Sequence, residues 1–320
     1  MGREIKRPFD SRKAAPRCAS VARAGRRAPT SRYTGSMPLA KLSHHSLYYE
    51  LHPARTPHPD KPPIVLVMGM GGRCAGWLPF QVPRFSEDRD VLIYDHRGVG
   101  PSEDPGRPFT TADLGRDLVE LLEALALERV DAAGYFLGGM AIQEAALAAP
   151  DRFRKLVLIG TWARPDAKRR MLLTEWAALA RANTPASAMI RHRLIWTLSD
   201  ESLDESDLLE PAIAHLDDGQ TPLTGEPFAR QCDACASHDA LARLPQLDHP
   251  TLALCGRRDL LTPSKFSRQI AEAMPNARDL ALAYSGHAVM AERPERFNQV
   301  VLNFLDDLHG GALPGIDRHA

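Results

Sequence analysis

Short runs of consecutive apolar residues alternate with amphipathic stretches from residue 37 onward. Such runs, about four to eight residues long and bounded by turn residues, are typical of strands buried on both faces of a sheet. They occupy residues 64–68, 91–94, 156–159, 251–255 and 280–283. Because strands and helical stretches alternate, the pattern predicts an α/β fold with a mostly parallel sheet flanked by helices.

Leucines recur at helical spacing in the stretch after the second of these runs. Leu114, Leu118, Leu121 and Leu125 follow one another at steps of four, three and four, which places them on one face of a helix. Thr110 or Thr111 is expected to cap its N-terminus. A similar stripe, Phe297, Val301, Phe304 and Leu308, predicts a final helix.

The strand signal disappears between residues 162 and 247. Amphipathic helical pieces broken by prolines replace it, which predicts a helical cap inserted after the sixth strand. We therefore divide the folded part of the chain into a first core segment (37–161), the cap (162–247) and a second core segment (248–310). Residues 311–320 are expected to form a flexible tail.

Residues 1–36 differ from the rest in composition. They carry ten basic residues against Glu4 and Asp10, with no apolar periodicity, and are expected to be disordered. Three interpretations stay open: an extension that precedes a working start at Met37, a transit peptide, or a basic tether.

Charge and composition exclude several classes of protein. The 40 basic and 40 acidic residues cancel, which does not favour a nucleic-acid binder. No apolar run approaches the roughly 18 residues of a membrane span, and no secretory signal is visible, so a cytoplasmic location is expected. Five scattered cysteines favour reduced thiols over a disulfide framework.

Several other residues with potential chemistry have simpler interpretations. Cys232 and Cys235, followed by His238, have a spacing that could hold a metal ion, but no second cysteine pair accompanies them, so a structural role is favoured. The pair His44-His45 is expected at the surface. The glycine-rich segments lack the spacing of phosphate-binding loops, and we predict neither a metal nor a cofactor.

The segment Gly134-Tyr135-Phe136-Leu137-Gly138-Gly139 lies between a predicted strand and a predicted helix. A nucleophile elbow, G-x-S-x-G, occurs in this context, because small residues allow a sharp turn that raises the central side chain above the sheet. Here Phe136 stands at the central position.

With this motif the chain resembles the α/β-hydrolase superfamily, in particular its bacterial esterase, enol-lactonase and peroxidase-like branch with a helical cap. The resemblance extends over about residues 47–308. It also rests on the glycine loop 69–72, where Met68 replaces the usual histidine, on the D-x-R-G-x-G-x-S turn at 95–102, on the segment 255–263 and on Ser285-Gly286-His287.

The resemblance implies roles for five residues. Phe136 occupies the nucleophile position, Asp259 is the acid and His287 the base, in the chain order expected for this fold. The backbone N–H groups of Met70 and Leu137 would bind the oxyanion. A phenyl ring has no ionisable proton and no lone pair, so Phe136 cannot be acylated. Ser102, Cys74 and Ser285 are the candidate substitute nucleophiles. Ser102 belongs to a turn motif that active relatives share, which favours a structural role, and nothing in the pattern places Cys74 beside His287. Ser285 is two residues from His287, and side chains so close along one loop rarely point at the same place.

Three functions follow as alternatives. The first is a protein of ester or lactone hydrolase ancestry that is impaired or inactive as an esterase and binds a small apolar or ester-like molecule. The second is an enzyme that uses the His287–Asp259 dyad as a general base without a covalent intermediate, as a lyase or cofactor-free oxygenase would. The third is a non-catalytic interaction module.

Overall fold

The computed structural model describes residues 38–204 and 224–308. The expected disordered extension at 1–36 and the expected flexible tail at 311–320 lie outside the described residues. None of the helices within the described ranges is long and apolar enough to cross a membrane.

A sheet of eight strands forms the centre of the fold, in the order β1-β2-β4-β3-β5-β6-β7-β8. The first two strands pair antiparallel with each other, β2 pairs antiparallel with β4, and all the other pairs are parallel. The predicted mostly parallel sheet is therefore confirmed. The strands are β1 (Leu39–Lys41), β2 (Ser46–His52), β3 (Ile64–Val67), β4 (Val91–Tyr94), β5 (Val130–Tyr135), β6 (Phe153–Ile159), β7 (Thr251–Gly256) and β8 (Ala277–Leu282).

Ten α-helices lie in the described ranges. They are α1 (Gln81–Phe85), α2 (Thr111–Ala124), α3 (Leu137–Ala148), α4 (Ala167–Arg181), α5 (Ala186–Thr197), α6 (Asp200–Asp204), α7 (Gly225–Ser237), α8 (Lys265–Ala273), α9 (Val289–Glu292) and α10 (Pro294–Leu305). Helix α2 begins with a capping box, in which the Thr110 hydroxyl accepts from the Asp113 N–H and the Asp113 carboxylate accepts from the Thr110 N–H. Thr110 is thus the cap of the two candidates.

Two apolar layers cover the two faces of the sheet. Because successive side chains of a strand point to opposite faces, Val65 packs in the layer formed with α2 and α3, and Leu66 packs in the layer formed with α1 and α10. This double coverage explains why β3 is apolar at every position.

The segment predicted as a cap contains helices α4 to α7. Helices α4 and α7 pack against each other, and apolar side chains of the segment, among them Trp176 and Phe228, form one cluster with Met70, Phe136 and Leu137. Since Met70 follows β3 and Phe136 follows β5, these helices lie against loops at the carboxyl ends of the parallel strands. Ligands of open α/β sheets bind at that edge.

The expectation that His44-His45 lies at the surface holds for His44 and is wrong for His45. His45 is buried, and its Nε2 atom lies 3.3 Å from the Asp117 carboxylate on α2. Arg97 donates two hydrogen bonds of 2.8 and 2.6 Å to the same carboxylate. The tight turn between β1 and β2 brings His45 to a partner 72 residues away, which local sequence cannot reveal.

His238 connects the end of α7 to the core. Its Nδ1 atom lies 2.8 Å from the Thr111 hydroxyl on α2, and its Nε2 atom lies 3.4 Å from the Gln143 amide oxygen on α3. Burial, with a smaller contribution from the Arg243 charge, lowers the pKa of His238 to about 3. The ring is therefore neutral in the folded protein at pH values where an unfolded chain would already protonate it.

This difference predicts a pH dependence of stability. Between pH 6.5 and about 3 the unfolded state binds the extra proton at His238, so this contribution is complete above pH 6.5 and decreases as the pH falls. In urea unfolding at pH 7.5, 6.5 and 5.5, the free energy of unfolding of the wild type should fall more steeply than that of His238→Gln. The slopes should differ by at most about 1.4 kcal/mol per pH unit. Parallel curves for the two proteins would contradict the assignment.

Candidate active site

The turn between β5 and α3 holds Phe136 in an unusual backbone conformation. Its φ is 48° and its ψ is −105°, a combination that bulky side chains rarely adopt. The Phe136 N–H donates to the Ile159 carbonyl at 2.8 Å, and the Thr161 hydroxyl donates to the Phe136 carbonyl at 2.8 Å. Both partners come from the end of β6 or just after it, so the neighbouring strand holds the turn in place.

Close packing of backbone explains the glycine after this turn. A Cβ atom built on Gly138 would lie 2.2 Å from the Val67 carbonyl oxygen, which belongs to the end of β3. A backbone carbonyl in a sheet cannot rotate away, so only glycine allows α3 to start this close to the sheet. Gly138 thus follows Phe136 for the reason predicted from the sequence, since a small residue is needed to allow the sharp turn.

Asp259 and His287 meet at the carboxyl ends of β7 and β8. The His287 Nδ1 atom lies 2.8 Å from Asp259 Oδ2, and both side chains are almost fully buried. Asp259 also accepts hydrogen bonds from the Thr262 N–H at 2.6 Å and the Thr262 hydroxyl at 2.5 Å. Because the Asp259 carboxylate accepts a hydrogen bond from the Nδ1–H group of His287, the Nε2 atom is the nitrogen that can take up a proton.

Sequence analysis assigned no role to Thr262. It orients the carboxylate that orients His287, and its hydroxyl also lies 3.0 Å from His287 Nδ1. The available signal is local, because an aspartate side chain often accepts a hydrogen bond from a backbone N–H two or three residues later.

The Phe136 ring lies directly against His287. The ring centroids are 5.1 Å apart at an interplanar angle of 83°, and on another side Phe136 contacts Trp162 in a second edge-to-face pair at 5.0 Å. Phe136 is 2% exposed. The structure thus brings Phe136, Asp259 and His287 together, with an inert ring where the resemblance predicts a nucleophile.

The loop after β3 is held by two residues of the cap segment. Arg193 Nη2 donates to the Met70 carbonyl at 2.9 Å, and Gln231 Oε1 accepts from the Gly71 N–H at 2.7 Å. These two backbone groups belong to the same peptide unit. Met70 and Leu137 share one apolar cluster with Phe136, and the role of their N–H groups in binding an oxyanion stays a prediction.

The three substitute nucleophiles have other partners. The Ser102 hydroxyl donates to the Asp95 carbonyl and accepts from the Tyr48 N–H, which fixes the 95–102 turn. The Ser285 hydroxyl donates to the Leu282 carbonyl at 3.1 Å. Burial raises the pKa of the Cys74 thiol far above its usual value, which disfavours the reactive thiolate.

The cysteines of α7 are buried as well. Burial raises the pKa of both Cys232 and Cys235, and both side chains belong to the apolar cluster of the cap segment. Among the residues that the structure describes, no three potential ligands stand close enough to hold a metal ion.

A small cavity of about 20 Å³ lies at this site, roughly the space of one water molecule. Its lining includes side chains of the core loops and of α4 and α5: Met70, Tyr135, Phe136, Trp176, Arg193, Thr197, Leu261 and His287. An ester substrate does not fit unless Phe136 or α5 moves.

This fold agrees with the comparison to known families. The sequence model of the family described as the alpha/beta hydrolase fold matches residues 62–294, and the chain belongs to that family. The predicted α/β-hydrolase fold is confirmed.

Among curated proteins, the chain is 31% identical over 280 residues to RutD of Azorhizobium caulinodans, a proposed carbamate hydrolase, covering 85% of this chain and 99% of that protein. Solved structures are similar as well, and two of them serve as examples. A hydrolase from Pseudomonas aeruginosa PA01 shares 30% identity with a TM-score of 0.75, covering 85% of this chain and 99% of that one. The enol-lactonase from Burkholderia xenovorans LB400 shares 27% identity with a TM-score of 0.76, covering 84% and 100%.

The close packing at Gly138 gives a prediction. Gly138→Ala should lower the free energy of unfolding by about 3 kcal/mol, because the added methyl group meets a fixed carbonyl. Gly106→Ala is the control, since its added Cβ would meet no atom within 4 Å. Its expected cost comes from the positive φ of 68°, which disfavours a residue with a side chain. We expect it to cost about 1 kcal/mol. Equal losses in denaturant unfolding would show that this contact does not determine the turn.

Proposed function

We propose that this α/β-hydrolase-fold protein binds a small molecule over His287 and does not form an acyl-enzyme at residue 136. The observation that carries the proposal is the Phe136 ring, which stands on the left-handed turn after β5 and lies edge-on against His287 at 5.1 Å. Without a hydroxyl or thiol at that point, a bound ester has no side chain there to attack it.

The expected loss of activity is large. Removal of a triad nucleophile lowers kcat by roughly 10⁶-fold in a serine protease, because the remaining groups only bind and polarise the substrate. Residual catalysis from oxyanion binding alone amounts to roughly 10³- to 10⁴-fold over water. We therefore propose a protein that is impaired or inactive as an ordinary esterase.

The names of the relatives suggest the ancestry of the site. A carbamate hydrolase and an enol-lactonase both act on a carbonyl group bonded to a heteroatom. We propose that the pocket of this chain descends from a site for such compounds and accepts a ligand of related shape.

Labelling with a fluorophosphonate tests the proposal. The intact mass of the wild type should not change after incubation, whereas Phe136→Ser should gain one adduct, because the serine hydroxyl would stand beside His287 on a preformed turn. Phe136→Ala is the matched control, since it opens the same space without a hydroxyl and should gain no adduct.

A second control separates activation from mere exposure. The double variant Phe136→Ser/His287→Ala should label at least 100-fold more slowly than Phe136→Ser, because the base is lost. Labelling of the wild type would reveal another acylable nucleophile and overturn the proposal.

A second candidate function rests on the intact pair of His287 and Asp259. With Nδ1 at 2.8 Å from the carboxylate and Thr262 supporting Asp259, the His287 Nε2 atom is oriented as a general base. We propose, as the alternative, that this dyad removes a proton from water or from a bound substrate without a covalent intermediate.

Turnover of p-nitrophenyl acetate examines this alternative. A dyad enzyme should hydrolyse the ester slowly without a mass adduct, and His287→Ala should abolish the reaction. Asp259→Asn should lower the rate by several orders of magnitude, because the ring loses its orienting acceptor. Turnover that survives His287→Ala would rule the dyad out as its source.

A further inference from the structure

Arg193 lines the cavity beside His287. Part of its side chain reaches the surface, but its Nε and Nη1 atoms are shielded from solvent and have no hydrogen-bond partner in the described structure. Only Nη2 has one, the Met70 carbonyl at 2.9 Å. Two N–H-bearing atoms of the guanidinium are thus left without an acceptor at a cavity wall.

No carboxylate of the described residues forms an ion pair with Arg193. The guanidinium lies 5.2 Å from the centroid of the Phe228 ring, and the ionisable groups that act on its charge are Tyr135 and Cys232. Burial raises the pKa of both the Tyr135 phenol and the Cys232 thiol, so neither group supplies a negative charge at neutral pH.

A guanidinium keeps its proton even in such surroundings. Burial lowers the pKa of Arg193, but an arginine is not deprotonated in proteins at neutral pH. A buried charge without a partner is costly, and buried charges in proteins are normally paired. The described residues supply no such partner, and a bound anion would supply it.

The absence of a side chain at Gly71 leaves space for the Arg193 guanidinium and the Phe228 ring. A Cβ atom on Gly71, whose φ is 64°, would lie 2.9 Å from Arg193 Nη1 and 2.8 Å from the Phe228 ring. Gly71 also donates its N–H to Gln231, which fixes the amide orientation because a backbone N–H cannot accept. The Gln231 Nε2 atom is then a third buried donor without a partner among the described residues of this region.

We infer that Arg193 is the binding residue for the carboxylate group of a small anionic ligand that occupies the cavity next to His287. This inference rests on the proposed function, since it names the ligand class of the same site. A carboxylate fits because its planar oxygens accept charge-assisted hydrogen bonds from a guanidinium. The ligand is then not purely apolar: its charged end lies at Arg193, and the rest of it lies toward Phe136 and Trp176, with movement of α5 or Phe136 making room.

Binding of acetate is the direct test, with acetamide as the neutral molecule of the same shape and chloride as a spherical anion. In the ¹H–¹⁵N spectrum, the Arg193 Nε–H resonance, assigned by its absence in Arg193→Met, should shift saturably with acetate at constant ionic strength. Acetamide should cause no shift, and chloride should bind at least tenfold more weakly than acetate.

Matched variants separate binding from general charge. Arg191→Met removes one positive charge from the exposed face of the same helix and should keep the wild-type affinity for acetate. Arg193→Met should lose at least tenfold in affinity by calorimetry, and Arg193→Lys should keep part of it. Without ligand, Arg193→Met should unfold at the same temperature as the wild type or higher, because an unpaired buried charge has been removed.

Several outcomes would overturn the inference. They are no acetate binding by the wild type, equal binding by Arg193→Met, equal binding of acetamide or chloride, or a lower unfolding temperature of Arg193→Met that acetate does not affect. If acetate fails to bind while Phe136→Ser still gains a fluorophosphonate adduct that the wild type lacks, the carboxylate inference falls and the non-acylating site stands. If acetate binds Arg193 but the wild type gains a fluorophosphonate adduct, the carboxylate inference stands and the non-acylating site falls.

Discussion

The left-handed backbone at Phe136 is the constraint on which the arrangement of this site depends. A conformation of this kind costs roughly 1–3 kcal/mol and persists only when its surroundings hold it. Here the Ile159 carbonyl, the Thr161 hydroxyl and the close approach of Gly138 to Val67 hold it from three sides. The turn places one side chain above the carboxyl ends of the parallel strands, so the identity of that single residue determines what chemistry His287 meets.

Much of the fold could be predicted because its signals are local. Apolar runs marked the central strands, and the stripe beginning at Leu114 marked α2 together with its Thr110 cap. The positions of Phe136, Asp259 and His287 were implied by the resemblance of their segments to α/β-hydrolase motifs, and the structure places the three side chains close together. Parallel strands bring their carboxyl ends to one edge of the sheet, which is why residues far apart in sequence were expected to meet.

The rest of the site depends on contacts between distant segments. Arg193 lies on α5, whose sequence has no single apolar face, and nothing near it in the sequence shows that its guanidinium lacks a carboxylate partner among the described residues. The burial of His45 required the position of Asp117, and the size of the cavity required the packing of Phe136 against Trp162. Such features are set by which side chains fill a space together, and a pattern along one segment does not contain that information.

One peptide unit joins the cap segment to the core in a specific way. The carbonyl of Met70 and the N–H of Gly71 belong to the same plane, and Arg193 of α5 holds one side while Gln231 of α7 holds the other. While both bonds exist, that peptide cannot flip. Because the two bonds come from different helices, a movement of either α5 or α7 away from the core would break one of them and loosen this peptide. The conformation of the glycine loop beside His287 is thus coupled to the packing of these two helices on the core.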